Sequence, residues 1–146
     1  MSTKPTAYTG HDPYIFVSYA HKDRARVFPY IEALQARYNV WFDEGIRFGK
    51  EWDGEIADRL MGCRVFLCFL TEAALDSSDC KDELTLARDE QKPMANLLPD
   101  RDLELPNVFK LRFGRYPMCY LDQFNTPQDA ITALATRIPE MGDAVK

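Results

Sequence analysis

Five short runs of apolar residues recur along the chain, and each has the length of a β-strand. They cover residues 14–17, 40–42, 65–70, 94–98 and 118–121. The first run is continuous and rich in β-forming residues, which is typical of a strand that is buried on both faces. The pattern therefore predicts a sheet in the interior of the protein.

Between the strands, apolar residues recur at the three- and four-residue spacing of helices that bury one face. These stripes are Val27, Phe28, Ile31, Leu34 and Tyr38, then Trp52, Ile56 and Leu60, then Cys80, Leu84 and Ala87. A last helix is predicted to begin after Thr126, an N-cap residue followed by Pro127, and to run to about Ile138. Residues 99–117 contain three prolines and are predicted to form an irregular connection with one short helix.

Strands that alternate with helices indicate a parallel sheet with right-handed crossovers. The prediction is an α/β fold, a flavodoxin-like doubly wound five-stranded parallel sheet of order 2-1-3-4-5, flanked by helices. One domain is expected over residues 13–138, after a flexible N-terminus at 1–12 and before a tail or linker at 139–146.

In such a sheet, ligands bind at the carboxyl ends of the strands where the order reverses, here between the first and third strands. The loops 18–23 and 71–79 would wall this cleft, and the helix after the second loop carries Glu83. Glu83 follows Cys80 by three residues, so it lies beside the buried stripe. We expect it in the first turn, where the helix dipole favours a carboxylate. A carboxylate there either serves a site or simply stabilises the helix, and the residues alone leave both open.

Composition excludes several classes of function. The net charge of −5 and the scattered lysines and arginines argue against a nucleic-acid partner. The longest apolar run is too short to cross a membrane, and residues 1–10 do not resemble a signal peptide. The cysteines at 63, 68, 80 and 119 lack the spacing of a metal site. We expect reduced, buried thiols in a cytoplasmic protein.

Three stretches of the chain stand out together: residues 16–23 (FVSYAHKD), residues 41–52 and residues 77–84 (SSDCKDEL). In this order they resemble the TIR (Toll/interleukin-1 receptor) domain family, bacterial NAD-cleaving type. The first stretch resembles its first conserved box, and the second resembles its second box, the BB loop. The third resembles the segment that carries the catalytic glutamate in NAD-cleaving members. Asp79 stands where many active members have tryptophan.

The resemblance implies that Glu83 is catalytic and that the first box and the BB loop shape a pocket for NAD+. The implied substrate-binding residues are Ser18, Tyr19, His21, Asp43, Gly49 and Trp52. NAD+ would be the substrate, with no separate cofactor and no metal.

Each implied role has an ordinary structural alternative. Trp52 lies on an apolar stripe and would fit core packing equally well. Asp43 could satisfy backbone groups in a turn, and His21 could be a solvated loop residue. Tyr19 could pack beneath the sheet instead of touching substrate.

The implied function is an NAD+ glycohydrolase that releases nicotinamide and ADP-ribose or a cyclic ADP-ribose isomer. It would act in bacterial immune signalling and be activated by self-association with other TIR domains. The main alternative is a non-enzymatic module that binds TIR domains through the BB loop. A nucleoside deoxyribosyltransferase-like enzyme is disfavoured by the BB-loop pattern. A response-regulator receiver is excluded, because the first and third strands end without the acidic residues that its phosphorylation chemistry needs.

Overall fold

The computed structural model describes residues 4–45 and 51–146, with the side chains of residues 51 and 52 outside that description. Five parallel strands form one sheet of order β2-β1-β3-β4-β5, as the sequence predicts. The strands are β1 Ile15–Ser18, β2 Val40–Phe42, β3 Val65–Phe69, β4 Met94–Leu98 and β5 Met118–Tyr120.

Six α-helices connect and cover these strands in the described residues. They are α1 Arg24–Gln35, α2 Glu51–Gly62, α3 Glu72–Asp76, α4 Ser78–Asp89, α5 Asn107–Phe113 and α6 Pro127–Arg137. Short 3-10 turns occupy His21–Asp23, Leu121–Gln123 and Pro139–Ala144. The helix α3 lies within the segment 71–79 that the sequence analysis treats as a loop.

Two hydrophobic layers sandwich the sheet, because successive strand residues point to opposite faces. Ile15 and Val17 pack in the layer under α1 and α6. Phe16 and Trp41 pack in the layer under α2, α4 and α5. The predicted stripe on α4 is confirmed, since Cys80, Leu84 and Ala87 are its buried residues.

Both terminal segments are tied to the domain, contrary to the expectation of a flexible start and a tail or linker. The N–H of Tyr8 donates to Val40 O at 2.8 Å, so the segment before β1 lies along β2. At the other end, Met141 and Ala144 are fully buried. The N–H of Lys146 donates to Arg37 O at 3.0 Å. These contacts join residues far apart in sequence, so local composition could not indicate them.

The hydroxyl of Thr71 links the two segments that follow β1 and β3. Its Oγ1 accepts the N–H of Ala74 at 3.1 Å, which caps α3. The same hydroxyl donates to Asp23 Oδ2 at 2.5 Å. One side chain therefore fixes both the start of α3 and the turn after β1.

Replacing this hydroxyl with a methyl group should destabilise the fold. We expect Thr71→Val to lower the free energy of unfolding by about 1–3 kcal/mol, the sum of a lost cap and a lost side-chain hydrogen bond. Urea unfolding measures the change. Thr136→Val on the exposed face of α6 is the control and should shift stability by less than about 0.5 kcal/mol. Equal effects of the two substitutions would contradict the role of Thr71.

The four cysteines are free and buried, as predicted, and burial raises the pKa of each thiol. The pKa of Cys63 rises to about 11. Unfolded thiols ionise near pH 8.5. The native state therefore keeps these protons at a pH where the unfolded chain has lost them, and this difference reduces stability as pH increases.

We expect the free energy of unfolding to fall as pH rises from about 8.5 through about 11. Cys63→Ala should make this fall shallower, because it removes one of the groups responsible. Urea unfolding of both proteins at several pH values gives the two slopes. An unchanged slope in the variant would show that Cys63 does not contribute.

Candidate active site

A cleft of about 420 Å³ lies at the predicted position, where the carboxyl ends of β1 and β3 meet at the reversal of strand order. The turn after β1 forms one wall, with Tyr19, His21 and Lys22. The helix α3 and the beginning of α4 form the other wall, which carries Glu83. Both walls come from segments that follow neighbouring strands, so the sheet itself determines their separation.

Glu83 lines this cleft as a half-buried side chain. Ser77 caps α4, since its Oγ accepts the N–H of Cys80 at 3.2 Å. The helix begins at Ser78, so Glu83 is in the second turn and the prediction of a first-turn position is wrong. The acidic residue in the first turn is Asp79, which also lines the cleft. The helix dipole therefore acts most strongly on Asp79.

Two buried thiols lie beside Glu83. Burial raises the pKa of Cys68 well above its usual value, and the charges of Cys80 and Glu83 raise it further. The pKa of Cys80 is also raised, by burial first and in part by Glu83. The Glu83 carboxylate is therefore near both thiols, at the place where α4 packs on the sheet. A thiol with a raised pKa stays protonated at neutral pH, so these groups are poor nucleophiles there.

Ser18 is not at the surface of the cleft, contrary to its predicted role in substrate binding. Its residue is 1% exposed, and its side chain shares a face of the sheet with Phe16. The hydroxyl is close enough to Cys68 and Cys80 to oppose the rise in their pKa. Even so, Ser18 Oγ has no well-aligned hydrogen-bond partner among the described residues. Ser18 is a buried neighbour of the thiols and not a lining residue.

Asp43 links the cleft wall to the end of β2. Its Oδ2 lies 3.2 Å from Nε2 of His21, and its Oδ1 accepts the N–H of Gly45 at 2.9 Å. The hydroxyl of Tyr19 donates to Asp43 O at 2.6 Å. Gly45 has φ of +89°, a conformation that favours glycine. The predicted residues Tyr19, His21 and Asp43 thus form one connected group in the cleft. Asp43 also accepts a backbone N–H in the turn, which is the structural role predicted as its alternative.

The remaining predicted residues cannot be placed in the site. Gly49 lies outside the described residues. Trp52 is within α2, but its side chain lies outside the description. Their predicted contacts with substrate stay predictions.

The sequence analysis did not single out Lys22 or Asp76, which both line the cleft. Lys22 lay within the predicted loop but carried no distinguishing pattern. Asp76 belongs to α3, and a signal for that helix exists. Thr71 is a good N-cap residue and is followed by the helix formers Glu72, Ala73 and Ala74.

The charge of the cleft is mainly negative. Its lining includes the carboxylates of Asp43, Asp76, Asp79 and Glu83. Among the described lining residues, Lys22 is the single lysine or arginine. A ligand with a cationic group would therefore be attracted to the carboxylates, and an anionic group would be best placed near Lys22.

In the described part of the chain, no group of His, Cys, Asp and Glu is arranged to hold a metal ion. None of the helices in that part has the length and apolar content needed to cross a bilayer.

Comparison with solved structures shows the same fold in two proteins of distant sequence. The TIR domain of the Toll-related receptor TRR-2 from Hydra magnipapillata matches with a TM-score of 0.62 at 15% identity, covering 86% of this chain and 98% of that chain. The Clostridium botulinum CMP N-glycosidase BcmB matches with a TM-score of 0.54 at 16% identity, covering 84% and 98%. At these identities the likeness establishes the fold.

Sequence comparison identifies the family. A search of curated proteins finds no significant match. The TIR domain family profile matches residues 15–135, which include all five strands and every described residue of the cleft. The chain therefore belongs to the TIR domain family.

Proposed function

We propose that this TIR domain cleaves the bond between nicotinamide and ribose in NAD+. The products would be nicotinamide and ADP-ribose, or a cyclic ADP-ribose isomer. The observation that carries the proposal is the half-buried carboxylate of Glu83 in a cleft at the reversal of strand order. NAD+ is the substrate, and the proposed reaction uses no other cofactor.

The distribution of charge in the cleft suits this substrate. The nicotinamide ring of NAD+ is cationic, and the four carboxylates of the lining would favour it. The diphosphate of NAD+ is anionic and would be repelled by the same carboxylates. Lys22 offers a place for a phosphate at the edge of the cleft. The arrangement supports an orientation with the nicotinamide riboside end toward Glu83.

The reaction needs stabilisation of positive charge at the sugar. When the C1′–N bond breaks, its electron pair leaves with nicotinamide, which departs as a neutral molecule. Positive charge then develops on the ribose, as in other glycosyl transfers. A fixed carboxylate such as Glu83 stabilises that charge or adds to C1′ as a nucleophile. Water addition at C1′ gives ADP-ribose and a proton, whereas addition of a nucleophile from the same molecule gives a cyclic product.

The related fold of BcmB supports a glycosidase. That protein is a CMP N-glycosidase, so a fold of this kind accommodates cleavage of an N-glycosidic bond in a nucleotide. NAD+ carries the same class of bond. CMP should therefore be assayed as a substrate together with NAD+.

We further propose that the protein acts in the cytoplasm in bacterial defence signalling, and that assembly with other TIR domains activates it. A module that only binds other TIR domains is the second candidate. Asp79 favours this alternative, because many active members carry tryptophan at this position and a carboxylate gives a substrate ring no aromatic surface on which to stack.

Removing the charge of Glu83 should abolish turnover without unfolding the protein. We expect Glu83→Gln to reduce nicotinamide release by at least about 100-fold, the order of magnitude for losing one electrostatic stabiliser of a transition state. Chromatography of the reaction mixture measures release, and thermal unfolding checks the fold. Glu90→Gln, at the exposed C-terminal end of the same helix, is the matched control and should keep full activity. Equal turnover in wild type and Glu83→Gln would falsify the proposed role.

Lys22 should affect the binding of phosphate but not the chemistry. We expect Lys22→Met to raise KM for NAD+ about tenfold with little change in kcat, because a charge-assisted contact contributes roughly 1.5–3 kcal/mol. Nicotinamide riboside has no phosphate and is the matched control substrate. Its KM should be the same in wild type and variant. A similar rise in KM for both substrates would contradict the assignment of Lys22 to phosphate.

A further inference from the structure

The imidazole of His21 is held in the cleft by the carboxylate of Asp43. Nε2 of His21 lies 3.2 Å from Oδ2 of Asp43, although one residue belongs to the turn after β1 and the other follows β2. The side chain of Asp43 is 11% exposed and that of His21 is 27% exposed. The carboxylate is therefore shielded, while the imidazole reaches the cleft that both residues line.

Asp43 is itself fixed by two further hydrogen bonds. Its Oδ1 accepts the N–H of Gly45 at 2.9 Å, and its backbone O accepts the hydroxyl of Tyr19 at 2.6 Å. The ring of Tyr19 also meets the ring of His21 edge to face, with the two centroids 5.2 Å apart. Because Oδ1 is engaged with the backbone, Oδ2 faces the imidazole in a fixed direction.

This arrangement determines which nitrogen of a neutral His21 can accept a proton. The hydrogen on Nε2 donates to Asp43, so the available lone pair is on Nδ1. A carboxylate that holds one imidazole nitrogen protonated also stabilises the imidazolium that forms when the other nitrogen takes up a proton. His21 therefore has the partner and the orientation of a general base.

The cleft contains another group suited to a different task. Glu83 lines the wall formed by α3 and α4, whereas His21 belongs to the wall formed by the turn after β1. A carboxylate that stabilises positive charge on a sugar is a poor base while it does so, because that charge holds the carboxylate in its ionised form. Among the described residues that line the cleft, His21 is the single histidine. The two walls thus offer a charge stabiliser and a separate proton acceptor.

We propose that His21 is a catalytic base for the group that attacks C1′, and that Asp43 is its positioning residue. The inference rests on the proposed cleavage of NAD+ and adds to it the identity of the acceptor, which is water. As the oxygen of water forms its bond to C1′, one proton of that water passes to Nδ1 of His21, and the electron pair of the C1′–N bond leaves with nicotinamide. His21 then releases the proton to solvent. The product is ADP-ribose.

The alternative acceptor, a ring nitrogen of adenine, has different requirements. Such a nitrogen attacks C1′ through a lone pair and has no proton to lose as the bond forms. A cyclic product closed in this way would gain nothing from a base. The pair of His21 and Asp43 therefore favours hydrolysis.

A pyridine acceptor separates the action of the base from the rest of the site. 3-Acetylpyridine can replace nicotinamide at C1′ through its ring nitrogen, and this exchange transfers no proton. We expect His21→Gln to lower ADP-ribose formation at least about 100-fold while the exchange rate stays within about twofold of wild type. Glu83→Gln should lose both reactions, because both develop positive charge on the ribose. Chromatography of NAD+, ADP-ribose and the exchanged dinucleotide measures the two rates.

His11→Gln is the matched control. His11 is the other histidine of the chain, is exposed, and is not among the residues that line the cleft. Both rates should equal those of wild type. For the positioning role, Asp43→Asn should lower the ratio of hydrolysis to exchange at least about tenfold. A parallel loss of both rates in Asp43→Asn would assign that residue to the shape of the turn alone.

Three outcomes overturn the inference and leave the cleavage of NAD+ standing. They are equal losses of hydrolysis and exchange in His21→Gln, unchanged hydrolysis in that variant, and a wild-type product that is closed through an adenine nitrogen. A wild-type chain that releases no nicotinamide in either reaction overturns the proposed function and this inference together.

Discussion

The parallel pairing of β1 with β3 is the constraint on which the candidate site depends. Ile15 pairs with Val65 and Ser18 with Cys68, so β3 ends one residue beyond the end of β1. The chain leaves these strands toward different helices and has to open a gap between the segments that follow. Tyr19 on one wall and Glu83 on the other both line that gap. The position of the cleft therefore follows from strand order, and its chemistry follows from the side chains that the two flanking segments place there.

Much of the site could be predicted because it follows from short-range patterns. The stripe of Cys80, Leu84 and Ala87 determines which side of α4 packs on the sheet, and Glu83 then lies at the edge of that side. The turn containing Glu83 was predicted wrongly for a local reason. The cap is Ser77, and the residues from Ser78 to Asp82 complete more than one turn before Glu83. Counted from this cap, Glu83 is the sixth residue of the helix.

Other features could not be deduced from the pattern. The strand residues 15–18 are all buried, so polarity does not reveal which face each side chain takes, and Ser18 was assigned to the wrong surroundings. The ends of the domain are held by contacts such as the one from Lys146 to Arg37, which no local signal indicates. The link from His21 to Asp43 joins residues that follow two different strands. The predicted strand order makes these strands neighbours, but no local pattern pairs the two side chains.

The short helix α3 separates the cleft from a second cavity of about 700 Å³, and Asp76 borders both cavities. Five residues are too few to form a stable helix alone, so the position of α3 depends on the Thr71 cap and on what packs on either side of it. A change that displaces α3 from one side therefore reshapes the wall that it presents to the other side.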